Sequence, residues 1–456
     1  MSIPVDCTVL VVGDGPYHIG ESLLLTTRHY LDLIDLTPDF EDHGFMHKNG
    51  AAFRFNNTDF LAAGGPKNHS WNVIRSEADN IIFQHAGKSG AKVFDGVKVH
   101  SLHFISYGDQ EASDINPGKP ISASWSAKDG TTGIIRFGYL VDASGRAGLV
   151  STKYLKNRSF NPGLKNVTSW GYFRNAGRYG AGTCAEGAPY FHVLEDGMGW
   201  AWFIPLHNRT TSVGVVTQQS CVASKKAMIG SPSSKDFFLA NVKDVTGLHD
   251  LLGHAELVSD VKSASDWSYS ASSYASPYIH IVGDAVGGGG GLSAAVTICA
   301  SLKGQCGEAS AANWHSQKIR EAYTRFLLAV GSSYNQMMGK ERPVLSEIDE
   351  HNFDRAFDIF RPIIQGTVEI GGKLSQQELA ESVKFCIHVI QKMDETKESH
   401  VKVDLDRPTI GRSPVMAKII TANGTQSPEA FQSDVIDGMA ADVSRSNLGL
   451  VHVEKQ

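Results

Sequence analysis

Thr8-Val9-Leu10-Val11-Val12-Gly13-Asp14-Gly15-Pro16 is the stretch that decides the fold. A short run of β-branched and aliphatic residues that meets two glycines one residue apart reads as a buried strand entering a tight turn. Dinucleotide-binding domains begin this way. A helix whose N-terminus faces a pyrophosphate should follow, then a second strand ending in an acidic residue, all within about 30 residues. Both are missing here. The chain passes directly to Tyr17-His18-Ile19-Gly20-Glu21-Ser22, and the third glycine of the fingerprint would fall at His18. The expectation is an α/β (mixed α+β) chain with a Rossmann-like domain that is incomplete at its first βαβ unit.

Outward from this stretch, Leu23, Leu24, Tyr30, Leu31 and Ile34 recur at helical spacing and predict an amphipathic helix starting near Ser22. A second helix is predicted from Ser76, where Ser76-Glu77-Ala78-Asp79 has the form of a capping box, to Lys88-Ser89-Gly90. The segments 92–105, 121–125 and 134–141 alternate as strands of a small antiparallel layer, the last running into Asp142-Ala143-Ser144-Gly145-Arg146. A return strand over 278–282 leads to Gly283-Asp284-Ala285-Val286 and five consecutive glycines, 287–291, which read as a flexible loop or as a nest of amides able to accept an anion. A helix is expected over 292–302, and further helices over 314–328, 346–364 and 376–393. The domain division that results is a discontinuous cofactor domain over 1–165 and 270–310, a substrate-covering sheet over 166–269, a helical region over 311–400 and a weakly structured tail over 401–456.

The most distinctive run is Gly199-Trp200-Ala201-Trp202-Phe203-Ile204-Pro205-Leu206. Period-two alternation puts Trp200, Trp202 and Ile204 on one face of a strand, and Pro205, which cannot donate to a ladder, ends the strand or sits at an edge. Two indoles and a branched aliphatic then form one apolar wall. Buried sheet core is the plainer reading of any two tryptophans two residues apart; a wall that faces a substrate is the other.

Composition excludes several classes. With 456 residues, a net charge of −6 and acidic and basic residues mixed throughout, the chain has no basic patch for nucleic acid or an anionic membrane. It has no basic n-region, signal core or window of transmembrane length, so a cytosolic protein is expected. Six scattered cysteines without a CxxC pair, and no His-Glu-x-x-His, give neither a disulfide framework nor a zinc motif.

The tryptophan run, together with Tyr17-His18-Ile19-Gly20-Glu21-Ser22-Leu23-Leu24, Trp71-Asn72-Val73-Ile74-Arg75-Ser76-Glu77-Ala78-Asp79, Tyr139-Leu140-Val141-Asp142-Ala143-Ser144-Gly145-Arg146 and Ile281-Val282-Gly283-Asp284-Ala285, resembles the fungal-type flavin-dependent halogenases that modify phenols in secondary metabolism. These segments lie in the expected order over most of the chain. The resemblance implies an FAD-dependent oxidoreductase in which reduced FAD, oxygen and a halide, expected to be chloride, give hypohalous acid that travels through a closed interior to a lysine. It implies a phenolic, polyketide-type substrate and a separate flavin reductase. Position by position, it gives Glu21 and Arg75 to the flavin surroundings, Gly13 and Gly15 to the pyrophosphate, Asp142 and Gly145 to the cofactor-binding turn, and Gly283 and Asp284 to the ribityl-phosphate end. It gives Lys48, in His43-Gly44-Phe45-Met46-His47-Lys48-Asn49-Gly50, the transfer of halogen, and Trp200 and Trp202 the separation of substrate from flavin.

Elementary chemistry is compatible with each assignment and with a plainer one. Glycines permit close backbone approach, yet two glycines after a strand are common turn chemistry; Asp142 and Asp284 are also suited to turns or caps. A desolvated lysine has a lowered pKa, while a lysine beside Asn-Gly reads as a solvated turn residue. His43 and His47 are candidate bases for a phenol, or ordinary surface histidines.

Two departures fall on the cofactor. The helix and second strand expected after Gly15-Pro16 are absent, and five glycines stand where the resemblance leads one to expect a Ser-Ser-Gly type halide turn. Either coding segments are missing from the sequence as written, or the chain is a natural degenerate homologue that binds FAD weakly or not at all. Two further functions share this scaffold: an FAD-dependent aromatic monooxygenase, against which the indole wall argues, and a non-catalytic protein that keeps only the aromatic-binding sheet.

Overall fold

The computed structural model describes residues 2–13, 20–24, 26–54, 59–63, 69–106, 117–160, 165–183, 185–230, 232–265, 269–283, 289–338 and 428–453. Two sheets organise them. The first contains β1 (Asp6–Gly13), β6 (Val97–Ile105), β7 (Lys119–Ala127), β8 (Thr132–Ala143), β17 (Ala275–Ser276) and β18 (Ile279–Ile281). The second contains β3 (Gly50–Arg54), β4 (Asp59–Ala63), β10 (Asn166–Arg174), β11 (Tyr190–Val193), β12 (Gly199–Pro205), β13 (Thr211–Gln218), β14 (Glu256–Leu257) and β15 (Lys262–Ser265). Three strand pairs stand apart: β2 (Met46–Lys48) with β5 (Ser70–Asn72), β9 (Arg158–Phe160) with β16 (Tyr269–Ala271), and β19 (Met439–Asp442) with β20 (Gly449–His452). The helices are α1 (Thr26–Leu33), α2 (Thr37–His43), α3 (Arg75–Lys88), α4 (Leu149–Lys153), α5 (Gln219–Met228), α6 (Ser234–Lys243), α7 (His249–Leu252), α8 (Gly289–Leu302), α9 (Glu308–Met338) and α10 (Pro428–Ser433).

In the first sheet β1 and β18 both run parallel to β8, whose early residues pair with β7 and whose late residues pair with β18. Tyr139 and Val141 of β8 cluster with Ala294 and Ile298 of α8, while Phe137 and Leu140 belong to a second cluster with Val12, Leu102 and Ile279. The strands expected over 92–105, 121–125 and 134–141 do form an antiparallel layer, β6-β7-β8, which is joined to the parallel part of the sheet through β8. Along its other side β1 pairs with no strand among the described residues, and Val5 and Val11 are 66% and 61% exposed. An open edge with solvated valines is what remains when the next strand of a βαβ unit is not laid against it.

The second sheet buries Ala201, Phe203, Val213 and Val215 against Phe238 and Val242 of α6. Its opposite face carries Trp170, Trp202, Ile204 and Val216. Strands β3 and β4 come from the segment assigned to the cofactor domain, yet β3 pairs in parallel with β11, so the sheet is not confined to 166–269.

Local expectations are corrected at several ends. The first helix begins at Thr26, not near Ser22, because Ser22 bridges to Asn72 and the chain before the helix is tied to β5. The helix expected from Ser76 is capped by Ile74, without a side-chain cap, and Ser76 lies inside it. Gly289, Gly290 and Gly291 form the first turn of α8, where a loop was one reading, since packing of Val296 and Ala300 beneath Trp314 outweighs the entropy lost by glycine. The tail is not weakly structured over 428–453: Phe431, Ile436, Met439 and Leu450 bury against α8 and α9. The helices expected over 346–364 and 376–393 lie outside the described residues.

Candidate active site

The site begins with the short stretch 20–24, which runs beside β5: Val73 N donates to Glu21 O at 2.7 Å and Leu23 N to Trp71 O at 3.0 Å. Strand β2 pairs with β5 from the other direction, with Lys48 opposite Ser70. Alternation along β2 sends His47 outward and Lys48 inward, so their exposures differ sharply: Lys48 is 6% exposed, while the His47 side chain is 53% exposed. Lys48 Nζ donates to Leu23 O at 2.8 Å. Burial, with no carboxylate to offset it, pulls the amine down to about 8.

Glu21 is buried and accepts from Tyr172 Oη at 2.9 Å. Burial raises its carboxyl above the ordinary range, opposed by the Tyr172 hydroxyl and the Arg75 guanidinium. Arg75 opens α3, bonding Asp79 Oδ1 at 3.1 Å and Gly20 O at 3.4 Å. Glu21 therefore reaches the second sheet through Tyr172 of β10, a residue that the sequence reading had not singled out. Alternation from Trp170 would have pointed to it.

On the face of the second sheet that Tyr172 shares, the Trp200 and Trp202 ring centroids are 5.7 Å apart, and Trp202 Nε1 donates to Ser212 Oγ at 3.1 Å. Phe191 stands 5.9 Å from Trp200 and stacks on Phe53 at 5.1 Å, so the wall continues across β11 to β3. Trp202 lies flat over β13 because position 214 is glycine: a Cβ there would sit 2.1 Å from the indole. Ile204 lies on this same face, and Pro205 is the last residue of β12.

The other candidates sit at the ends of β8 and β18, around a cleft lined by Asp142, Gly145, Gly148, Arg158, Val282 and Gly283. Gly283 leaves β18 with φ +121°, a conformation that suits glycine. Asp142 accepts from Ser144 N, Ser144 Oγ and Val150 N, so its carboxylate ties down the turn itself. Gly13 ends β1; Gly15 and Asp284 lie outside the described residues. His43 and His47 are turned from Lys48 toward Glu77 and Glu41.

A flavin is compatible with the inner half of this arrangement: Glu21, Arg75 and the glycine-lined ends of β8 and β18 leave backbone accessible, and no Cβ at Gly13 would meet any atom within 4 Å. Among the described residues, no second strand lies beside β1 on the side where the adenosine half would sit.

No sequence-family model matches the chain. Among solved structures it resembles the flavin-dependent brominase Bmp2 (TM-score 0.66, 18% identity, covering 86% of this chain and 100% of that one). It also resembles the myxobacterial chondrochloren halogenase CndH (TM-score 0.63, 20% identity, 85% and 98%). The fold is that of FAD-dependent halogenases. Among curated proteins, flavin-dependent halogenase otaD of Aspergillus carbonarius is 44% identical over 99% of both chains. Flavin-dependent halogenase ascD of Acremonium egyptiacum is 43% identical, covering 98% of this chain and 93% of its own. Sulochrin halogenase gedL of Aspergillus terreus is 41% identical, covering 99% and 94%. The chain belongs to the flavin-dependent halogenases, FAD-using oxidoreductases whose co-substrates are halide and oxygen, and this implies a small-molecule substrate and a supply of reduced flavin. The alignment to ascD extends over 516 positions, more than the 456 residues of this chain, so that relative carries at least 60 residues with no counterpart here. Among the described residues no helix is long and apolar enough to cross a membrane.

Proposed function

We propose that the chain chlorinates an electron-rich phenolic ring of polyketide type in the cytosol, with Lys48 as the residue that holds the electrophilic halogen against the ring. The observation that carries this reading is a buried amine, lowered to about 8, whose hydrogen bond is to a backbone carbonyl and not to a carboxylate. A neutral amine has the lone pair that such a role requires. Reduced FAD, when bound, supplies with oxygen and halide the oxidised halogen. The protein's own part is to hold the flavin beside Glu21 and Arg75, keep the phenol apart from the flavin with the wall of Trp200, Trp202 and Ile204, and orient the phenol; Gly13, Gly15, Asp142, Gly145, Gly283 and Asp284 would line the cofactor. A relative named as a sulochrin halogenase supports halogenation of an organic small molecule.

The test supplies FAD, a flavin reductase, oxygen and either chloride or bromide to the purified chain with a panel of phenols. A product heavier by one halogen is expected, and Lys48→Ala should lower its formation by about 10²-fold or more while flavin reoxidation continues. An oxygen-inserted product would instead identify a hydroxylase. A second reading, binding of aromatic ligands without catalysis, is favoured by the uncovered edge of β1; ligand binding by a purified chain that takes up no flavin would establish it.

A further inference from the structure

We propose that His43, Glu77 and His207 form a divalent-metal site of zinc type that clips the turn after the tryptophan strand to α2 and α3. The three residues come from distant parts of the chain. His43 is the last residue of α2, Glu77 lies in the first turn of α3, and His207 sits two residues beyond Pro205 in the turn between β12 and β13. Their ligating atoms nevertheless converge: His43 Nε2 is 2.8 Å and His207 Nε2 3.2 Å from Glu77 Oε2, and all three lie within 4.8 Å of one another. Around a tetrahedral zinc with bonds of about 2.0–2.2 Å, neighbouring ligand atoms stand about 3.4 Å apart, so the His43–Glu77 pair would open by about 0.6 Å and the His207–Glu77 pair by about 0.2 Å.

The imidazoles are oriented independently of Glu77. The buried ring of Phe45 packs 4.3 Å from His43 and 5.3 Å, edge-on, from His207. Two imidazoles and one carboxylate form a donor set suited to zinc, with the fourth position left for water.

A neighbouring cluster shows what a filled version of this geometry looks like. Glu41, His47 and His69 have the same composition, but Arg28 Nη1 stands 3.0 Å from Glu41 Oε1 and 2.9 Å from His69 Nε2. A guanidinium already supplies the positive charge there. Around His43, Glu77 and His207, no lysine or arginine among the described residues comes within ion-pair distance. His207 Nδ1 has no hydrogen-bond partner among them either. An outer partner that orients a ligating histidine contributes roughly 10–100-fold in affinity, so the site should bind more weakly than one with that partner.

The experiment uses the full chain freed of metal by chelation and titrated with cobalt(II) alone, then with zinc. One equivalent of cobalt with the visible band of a tetrahedral complex, displaced by zinc and accompanied by a higher unfolding midpoint, is expected. His207→Ala and Glu77→Gln should abolish the band, and His47→Ala should keep it. Should His207→Ala not fold, His43→Asn, at a partly exposed position, takes its place. Absence of a band in the parent chain, a band that survives in folded His43→Asn, or one lost in His47→Ala overturns the proposal.

Discussion

In the proposed reading the chemistry turns on Lys48, and the environment of that residue makes a claim about pH. An amine held at about 8 when folded and 10.5 when exposed is charged in the unfolded chain over the interval in which it is neutral in the folded one. Its contribution to stability is fully present above 10.5, declines as pH falls toward 8 and is flat below that. Lys48→Met should remove this slope from the unfolding free energy. If the neutral amine carries the halogen, halogen transfer should rise through pH 8 to a plateau, and a profile rising only near 10.5 would place the amine in water. Gly214 makes a second claim at this scale. Because a methyl there would meet the Trp202 indole, Gly214→Ala should cost about 1–3 kcal/mol by overpacking and displace the ring. A lower unfolding midpoint with altered tryptophan fluorescence is the expected result; unchanged values of both would mean that the wall yields freely.

Between residues and molecule stand the elements, and here α8 is held by a histidine that the sequence reading passed over. His315 Nδ1 meets Ser293 Oγ at 2.9 Å and Nε2 meets Ile281 O at 3.0 Å, which joins α9 to α8 and to β18. A carbonyl accepts, so Nε2 carries the proton and the Ser293 hydroxyl donates to Nδ1: the ring is satisfied as the neutral form. Burial pulls His315 down to about 4. The unfolded chain binds a proton near 6.5 and the folded chain does not, so stability is present above 6.5 and is lost as pH falls toward 4. His280, 4.9 Å away and also lowered, acts in the same direction. The unfolding midpoint should therefore drop between pH 6.5 and 4, and His315→Gln should flatten that drop; an equally steep drop in the variant would assign it elsewhere. Legibility differed by element for related reasons. Strand β12 was readable because alternation of Trp200, Ala201, Trp202 and Phe203 is a local signal, and β8 because its apolar run is long. The glycine start of α8 and the order of 428–453 were not readable, since both depend on burial against partners distant in sequence, which overrides local preference. Of the site, Lys48 stood out through resemblance alone, whereas Tyr172 and the Leu23 carbonyl become visible only once the two sheets and β5 are brought together.

Across the whole molecule, the inner and outer halves of the cofactor region are unequally built. The inner half has Glu21 bonded to Tyr172 of the second sheet, Arg75 at the head of α3 and the glycines of the cleft at the ends of β8 and β18. Toward the opposite side, β1 has an open edge where Val11 is 61% exposed, and no strand with a terminal acidic residue lies along it among the described residues. In dinucleotide-binding folds, that missing unit supplies the helix N-terminus that faces the pyrophosphate and the carboxylate that accepts from the adenosine ribose. Without it, the adenylate half of FAD should add little to binding. Titration of the purified chain with FAD and with FMN, followed by flavin fluorescence, should then give dissociation constants within about tenfold of each other, less than about 1.4 kcal/mol apart. A preference for FAD of several hundredfold would mean that the adenylate is held by residues other than a second strand on β1. Inserting a helix and a second strand that ends in a carboxylate between Pro16 and Tyr17 should restore a large FAD preference and leave FMN affinity where it was, because the insertion touches only the outer half.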